Sequence, residues 1–362
     1  MGFDCSTHDF LSPDSDSVFF YCPSFPAAIF FAVIFGLSTL THIFQAFYHH
    51  KWRLSWVIVI GASWETVAFG LRSKLTQSPF GPGLSVPMSI LIYLSPLLVN
   101  AYAYMVLGRM VWYYLSDKSI ARIRAPRLTV IFVWLDIIAF LVQLVGASMA
   151  SFRDTDSNST EKELLDAAKA QKLGLNIYTG GIAFQLFWIV VFFIFAWRFR
   201  VKIVQERNQG CSIHRDSNPT HLLIVLFCTL LMIATRIIFR LAEFSAGTLY
   251  TNLTTNEAYF YVLEASPMAI ACLTWNFFHP GRFLVGPDSE FPRLTRKEKK
   301  AIKAEKKRAK QEKKQEKKEE KQRNKEWKKE TRRARGRRET DDMEMGPLRD
   351  LPAYRSDDIG PA

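Results

Sequence analysis

The chain has 362 residues, of which 49% are hydrophobic, and its 47 Lys and Arg outnumber its 34 Asp and Glu to give a formal net charge of +13. Most of this excess is local, because 26 basic and 17 acidic residues lie from Asp288 onward. The charge therefore describes a C-terminal tail, and we expect no nucleic acid partner. The remainder alternates long apolar stretches with short polar ones, which excludes an ordinary water-soluble domain.

Seven apolar stretches of about 17–25 residues follow one another, each long enough to cross a hydrocarbon core of roughly 30 Å. The predicted helices are 26–47, 55–71, 86–107, 128–150, 173–197, 221–243 and 258–278. The sequence therefore predicts an all-α membrane protein with a seven-transmembrane-helix bundle. Its expected parts are an N-terminal segment 1–25, a membrane domain 26–281 and a basic tail 282–362.

The charges of the short loops predict the orientation. Loops on the side of the C-terminus carry 11 Lys and Arg, whereas those on the opposite side carry six, Arg72 among them. Because basic loops favour the cytoplasm, we expect an extracellular N-terminus and a cytoplasmic C-terminus. The glycosylation sequons at Asn158 and Asn252 both fall on the expected outer side. Cys5 and Cys22 precede the first helix there and could form a disulfide or stay unpaired.

The segment 295–338 consists of Lys, Arg, Glu, Gln and Ala with almost no apolar residue. This composition is typical of a long solvated helix with i,i+4 Glu–Lys pairs, or of a disordered tail. Two interpretations stay open. The tail is either a solvated cytoplasmic extension or a contact for anionic lipid of the inner leaflet, which gains about 1 kcal/mol per Lys or Arg near the surface.

Ionisable residues within the predicted helices indicate a candidate site, because each costs roughly 2.5–3.5 kcal/mol or more at the membrane centre. On the sixth helix, Arg236, Arg240 and Glu243 are spaced i, i+4, i+7 and share one face. Glu65 and Glu264 on neighbouring helices are their expected partners in the outer half. The group is either a structural ion network or a polar pocket that binds a charged lipid head group.

The fourth predicted helix carries Asp136, Gln143 and Gly146 on one face. Asp136 lies toward the cytoplasmic side, where Arg109 at the inner end of the third helix could neutralise it. Only His42 of the seven histidines lies well inside a span, and neither a Walker A sequence nor a Gly-rich phosphate loop is present. We therefore expect no metal site, no cofactor, no catalytic residue and no ATPase.

Four stretches carry a resemblance to a known family: 132–146, 174–185, Arg236 to Gly247 and His279-Pro280-Gly281. They resemble the fungal RTA-like, or lipid-translocating exporter, family of seven-helix membrane proteins. The third stretch is similar to the family motif Arg-x-x-(Phe/Tyr)-Arg-x-x-Glu, which is followed by Glu257 and Tyr261. This chain departs from the family pattern at Ala68-Phe69, Asn256 and Glu264.

The resemblance implies a fungal plasma-membrane protein, not an enzyme, that exports amphipathic lipids of the sphingoid long-chain base class or assists their flop, and so confers resistance to lipid toxins. The residues expected to bind substrate are Glu65, Asp136, Gln143, Arg236, Arg240, Glu243, Glu257 and Glu264. A seven-helix receptor or stress sensor that signals through its tail is the main alternative, and a lipid-modifying membrane enzyme is a third. Leu107-Gly108-Arg109 stands where a rhodopsin-type receptor has Asp-Arg-Tyr, which argues against that receptor class.

Overall fold

The computed structural model describes residues 19–78, 82–151, 161–210, 219–245, 251–286, 289–291 and 296–344, most of them helical. Six long helices come first: α1 (Phe25–Tyr48), α2 (Trp52–Leu75), α3 (Pro82–Tyr114), α4 (Ala125–Ser151), α5 (Glu161–Asn208) and α6 (Thr220–Ser245). Each contains a stretch that is long and apolar enough to cross a membrane. A short hairpin joins α3 to α4, in which β1 (Ser119–Ile120) pairs antiparallel with β2 (Ile123–Arg124).

The seventh predicted helix is built from three pieces that follow one another without a break. They are α7 (Glu257–Tyr259), a π-helical turn (Phe260–Ala265) and α8 (Ser266–Phe277), and we call the run 257–277 the seventh segment. The six long helices and this further helical segment confirm an all-α, multi-pass membrane bundle. The orientation of the bundle stays a prediction.

The π-helical turn has a local cause in the sequence. The backbone N–H of Ser266 and its hydroxyl both donate to the carbonyl of Tyr261, and the next residue, Pro267, has no N–H to donate. A single π turn widens the helix and redirects its side chains. Tyr261 and Glu264, both within the turn, are buried.

The helix α5 extends well beyond the apolar stretch that predicted it. α5 has 48 residues, about 70 Å of helix, where the sequence predicted 173–197. Residues 161–172 are mostly Glu, Lys, Leu and Ala, which are strong helix formers, so the helix continues past the apolar region. Apolarity therefore located the helix but not its ends.

Glycines let α4 and α5 pack closely. A Cβ added to Gly174 would lie 2.8 Å from the carbonyl oxygen of Gly146 and would overlap the backbone of Ala150. A Cβ on Gly146 would likewise overlap the backbone of Tyr178. These contacts leave no room for a side chain, as is typical of helix interfaces in membranes.

The outward face of α1 is strongly apolar. Phe30, Leu37, Leu40 and Phe44 are 59–67% exposed. A soluble protein rarely shows so much contiguous apolar surface. This is the surface that a lipid-facing helix requires.

The His-Pro-Gly sequence ties the end of the seventh segment to α1 and α2. The ring Nδ1 of His279 accepts from the N–H of Gly281 at 3.1 Å, so its Nε2 carries the proton and donates to the hydroxyl of Ser55 at 3.0 Å. The ring stacks on that of His49, with centroids 4.9 Å apart. Burial lowers the pKa of His279 to about 3, which keeps the ring neutral.

The tail forms a unit of its own. Residues 292–362 are a separate compact unit from 1–291, and α9 (Arg296–Glu344) is a 49-residue helix within it. Every α9 side chain that the structure describes is exposed, including Trp327. Of the two predicted states, residues 296–344 have the helical one, as their helix-forming composition favours.

Candidate functional site

An ion pair joins α6 to the seventh segment. Nη2 of Arg236 lies 2.5 Å from Oε1 of Glu264 and also donates to the carbonyl of Ile92 on α3 at 3.3 Å. The two charged side chains are only 9% and 2% exposed. Together with the hydrogen bond to Ile92, this ion pair links α3, α6 and the seventh segment. Removing either charged partner would leave the other charge buried and unpaired.

Arg240, one turn further along α6, is the most connected residue of the site. It donates to Oε2 of Glu243 at 2.9 Å and to the hydroxyl of Tyr178 on α5 at 3.0 Å. Its Nε lies 3.8 Å from Oε2 of Glu264, and its guanidinium lies 4.3 Å from the ring centroid of Tyr93 on α3. Arg240 therefore links α3, α5, α6 and the seventh segment.

Glu65 completes the cluster from α2. It is 2% exposed, and the charges of Arg236 and Glu264 act on its carboxyl group. Two arginines thus face three glutamates, in a group that we call the α6 charge cluster: Arg236, Arg240, Glu65, Glu243 and Glu264. One carboxylate in this cluster has no arginine of its own.

A second charged centre surrounds Arg72 near the end of α2. Its Nη2 donates to Oε1 of Glu257 at 3.0 Å and to the hydroxyl of Tyr21 at 2.8 Å, and its Nε donates to the hydroxyl of Tyr261 at 3.1 Å. Its guanidinium lies 4.2–5.8 Å from the centroids of four rings: Phe19, Tyr21, Phe260 and Tyr261. We call this end of the bundle the Arg72 end.

The expectation that Arg72 is a loop residue is wrong. Arg72 belongs to α2 and is 2% exposed, since hydrogen bonds and aromatic rings compensate its burial. Glu257 has a similar role, because its other oxygen accepts from the N–H of Ser24 at 2.7 Å. Together the two residues fasten the segment before α1 to α2 and the seventh segment.

Two cavities meet at Tyr93 and Arg240. The large cavity, about 180 Å³, lies at the Arg72 end, and the small cavity, about 30 Å³, lies among α3, α4, α5 and α6. The large cavity is lined by residues that include Phe19, Tyr21, Arg72, Glu243, Phe244 and Phe260. The lining of the small cavity includes Pro96, Phe140, Gln143, Tyr178, Gln185 and Arg236. A cavity of about 150 Å³ holds a benzene-sized molecule, so the large one can hold a small head group.

Gln143 lies at the α4–α5 side of the small cavity. Its amide donates to Oε1 of Gln185 at 3.0 Å. A Cβ on Gly181 would lie 2.8 Å from Cγ of Gln143, so this glycine provides the space that the glutamine occupies. The pair gives the cavity polar groups that can bond to water or ligand.

Asp136 is not neutralised by Arg109, contrary to the prediction. Its Oδ2 accepts from the amide of Asn100 at 3.1 Å and from the hydroxyl of Tyr104 at 2.8 Å, both on α3. Arg109 lines a different cavity with Trp52 and neighbouring residues. Nine residues separate it from Asn100, which at about 100° per residue places the two on opposite faces of α3.

The structure therefore brings together six of the eight predicted binding residues. The α6 charge cluster and small cavity contain Glu65, Gln143, Arg236, Arg240, Glu243 and Glu264, whereas Glu257 belongs to the Arg72 centre and Asp136 lies beyond the small cavity. Sequence reasoning missed Tyr93 and Tyr178 as partners of Arg240. Their only sequence signal was a phenol within an apolar span, where a buried Tyr needs a partner for its hydroxyl.

The modification predictions fall partly outside the described residues. Asn252 is exposed, whereas Asn158 lies in a part of the chain that the structure does not describe, so glycosylation stays a prediction. Cys22 is disulfide-bonded. Cys5 lies outside the described residues, and its pairing with Cys22 stays a prediction.

Comparisons with known proteins agree on one family. The sequence profile described as RTA1 like protein matches residues 58–286. The chain is 39% identical to the "Probable lipid transporter atnI" of Emericella nidulans, over 78% of this chain and 72% of the relative. It is 28% identical to the "Lipid-translocating exporter-like protein RTA1" of Leptosphaeria maculans, over 76% of this chain and 53% of the relative. It is 24% identical to the "Sphingoid long-chain base transporter RSB1" of Saccharomyces cerevisiae, over 72% of each chain. No solved structure matches the chain.

Proposed function

Because the chain belongs to the RTA1-like family, we propose that it moves amphipathic lipids across a membrane, with sphingoid long-chain bases as the substrate class. The names of its relatives support lipid as the cargo. We expect the lipid to leave chemically unchanged, since the relatives are named as transporters and exporters. With no Walker A sequence in the chain, movement would be facilitated or coupled to an ion.

The observation that carries this proposal is the large cavity at the Arg72 end. It combines a reachable carboxylate, Glu243, with the aromatic rings of Tyr93, Phe244 and Phe260. A lipid amine gains from both, through a charge-assisted hydrogen bond to the carboxylate and cation–π contact with the rings. At about 180 Å³ the cavity suits an amino-alcohol head and not a whole lipid, so the chain would stay in the bilayer.

The α6 charge cluster has one more carboxylate than arginine, and the two arginines that line the large cavity, Arg72 and Arg240, are already paired with Glu257 and Glu243. This balance favours an amine over an anionic head group. Two arginines face three glutamates, and Glu243 is the glutamate of the cluster that lines the large cavity. Its side chain is 12% exposed, against 2% for Glu264. Glu243 already pairs with Arg240 at 2.9 Å, so the ammonium of a long-chain base would share this carboxylate with the guanidinium and offset the excess negative charge of the cluster.

Further parts of the proposal concern placement in the cell. We propose that the Arg72 end faces the outside and the tail the cytoplasm of a plasma membrane. The predicted connecting segments carry 11 basic residues on the side of the tail against six on the other side, which supports this orientation. The tail would then lie on the side where anionic lipid attracts Lys and Arg.

The proposal is tested by release of a labelled long-chain base from fungal cells that lack their own exporter. The cells would carry the wild type, Glu243→Gln or Arg240→Ala at matched surface levels. A charge-assisted hydrogen bond contributes about 1.5–3 kcal/mol, so Glu243→Gln should weaken the apparent affinity roughly 10- to 100-fold.

The matched control is Glu206→Gln. Glu206 is also buried and accepts from the N–H of Ser116 at 3.0 Å, but it does not line the large cavity. This variant should release the base like the wild type. If the wild type itself makes no difference to release, the lipid-exporter proposal fails for this substrate and the receptor hypothesis takes its place.

A further inference from the structure

Asp136 is a buried carboxylate without a cation. It is 1% exposed. Its oxygen Oδ2 accepts hydrogen bonds from the amide of Asn100 and the hydroxyl of Tyr104. None of the ion pairs among the described residues includes Asp136, and Arg109 lies on the far face of α3. An ionised carboxylate in such a place is costly unless something else neutralises it.

Two buried oxygens at this point have no hydrogen-bond partner. They are Oδ1 of Asp136 and Oδ1 of Asn100, the same amide that donates to Asp136 through its nitrogen. Buried polar atoms are almost always satisfied, so two unsatisfied acceptors at one contact indicate a missing donor. A proton on Oδ1 of Asp136 would supply one, because a protonated carboxyl both donates and accepts.

The surroundings favour a proton over a metal ion. Tyr104 is the titratable group that contacts Asp136 from α3, and its hydroxyl is already donating. α5 packs Phe192 and Trp188 against Phe132, one turn away on α4, and offers no carboxylate there. Arg236 and Arg240 of α6 line the small cavity and are paired with glutamates. Hard cations prefer several oxygen ligands, which this contact does not provide.

The small cavity gives this carboxyl a route to water. Asp136 lies one helical turn from Phe140 and Asn100 one turn from Pro96, and both Phe140 and Pro96 line the cavity. With about 30 Å³ the cavity has room for one or two waters. Through Arg240 the same space adjoins the large cavity.

We propose that Asp136 is a proton-binding site that carries a proton at neutral pH and exchanges it with water in the small cavity. On binding, a hydronium ion in the small cavity transfers a proton to Oδ1 of Asp136 and leaves a neutral water. On release the proton returns to water, and the amide of Asn100 and the hydroxyl of Tyr104 stabilise the carboxylate that remains. The proposal assigns Asp136 to ion coupling and removes it from the set of substrate ligands.

Infrared spectroscopy of the purified full chain in lipid vesicles tests this directly and needs no substrate. At neutral pH the wild type should show the C=O stretching band of a protonated carboxylic acid, shifted by deuterium exchange. Asp136→Asn should remove one component of this band, which the control Glu206→Gln should retain. Tyr104→Phe removes one donor to Oδ2, so the band should persist at a higher frequency.

Identical carboxylic acid spectra for the wild type and Asp136→Asn would overturn the proposal. If Asp136→Asn does not fold, the C=O stretching frequency in Tyr104→Phe tests the proposal instead. An unshifted frequency in that variant would overturn the proposal equally. An Asp136 that gives carboxylate bands and no carboxylic acid band at neutral pH, with frequencies that change when sodium replaces potassium, would identify a metal cation as the occupant and also overturn it. Because none of these readouts measures transport, they stand or fall separately from the proposed export of lipid.

Discussion

Replacing Glu264 with Gln should destabilise the bundle strongly. The carboxylate lies 2.5 Å from Arg236 and 3.8 Å from Arg240, and its side chain is 2% exposed. Removing one partner of a buried pair costs about 3–5 kcal/mol. We expect the lower value, about 3 kcal/mol, because the Gln oxygen can still accept from Arg236.

In a thermal unfolding scan of the purified protein, a loss of about 3 kcal/mol corresponds to an apparent midpoint lowered by roughly 6–12 °C. Glu264→Asp keeps the charge and should recover most of the loss. The control is Asp117→Asn, which breaks the pair of Asp117 with Lys202, whose side chains are 51% and 31% exposed. Surface pairs contribute about 0–1 kcal/mol. Equal midpoints for Glu264→Gln and the control would refute the reasoning that the buried pair holds the helices together.

Three further predictions follow from single contacts. Gly174→Ala should destabilise the bundle by about 1–3 kcal/mol, because the added methyl group would overlap the backbone of α4. The control Gly180→Ala places its methyl group in open space and should leave the stability unchanged. Thermal unfolding of the two purified variants measures the difference. Arg72→Lys should lower the unfolding midpoint and increase proteolysis before α1, because Lys cannot donate in a fork to Glu257 and two tyrosines at once. Asn158→Gln should remove a glycan shift on a gel if that loop is outside, and an unchanged mobility would count against the orientation.

The helices could be predicted from apolarity alone, but their ends could not. Apolar length reports the part of a helix that lipid can cover. It does not report the helix-forming residues that prolong α5 into water. The π-helical turn was also beyond sequence reasoning. A proline inside an apolar span indicates a kink at that residue, whereas here the change in hydrogen bonding lies one turn before Pro267 and aims Tyr261 and Glu264 inward.

The α6 charge cluster was predictable because charges in a membrane segment need partners and helical spacing fixes which residues share a face. Arg236 and Glu264 are paired as expected. The error at Asp136 came from matching charges by depth without regard to the helix face. There the partners are the neutral Asn100 and Tyr104, which a search for opposite charges does not find.

The central claim is that this chain itself moves a lipid amine through the large cavity. The most direct test is the transbilayer movement of a labelled long-chain base in vesicles that contain only the purified protein. We predict faster movement than in protein-free vesicles, a rate lost in Glu243→Gln and kept in Glu206→Gln. Equal rates with and without the protein would contradict the claim, and equal rates for wild type and Glu243→Gln would exclude the cavity carboxylate from the transport path.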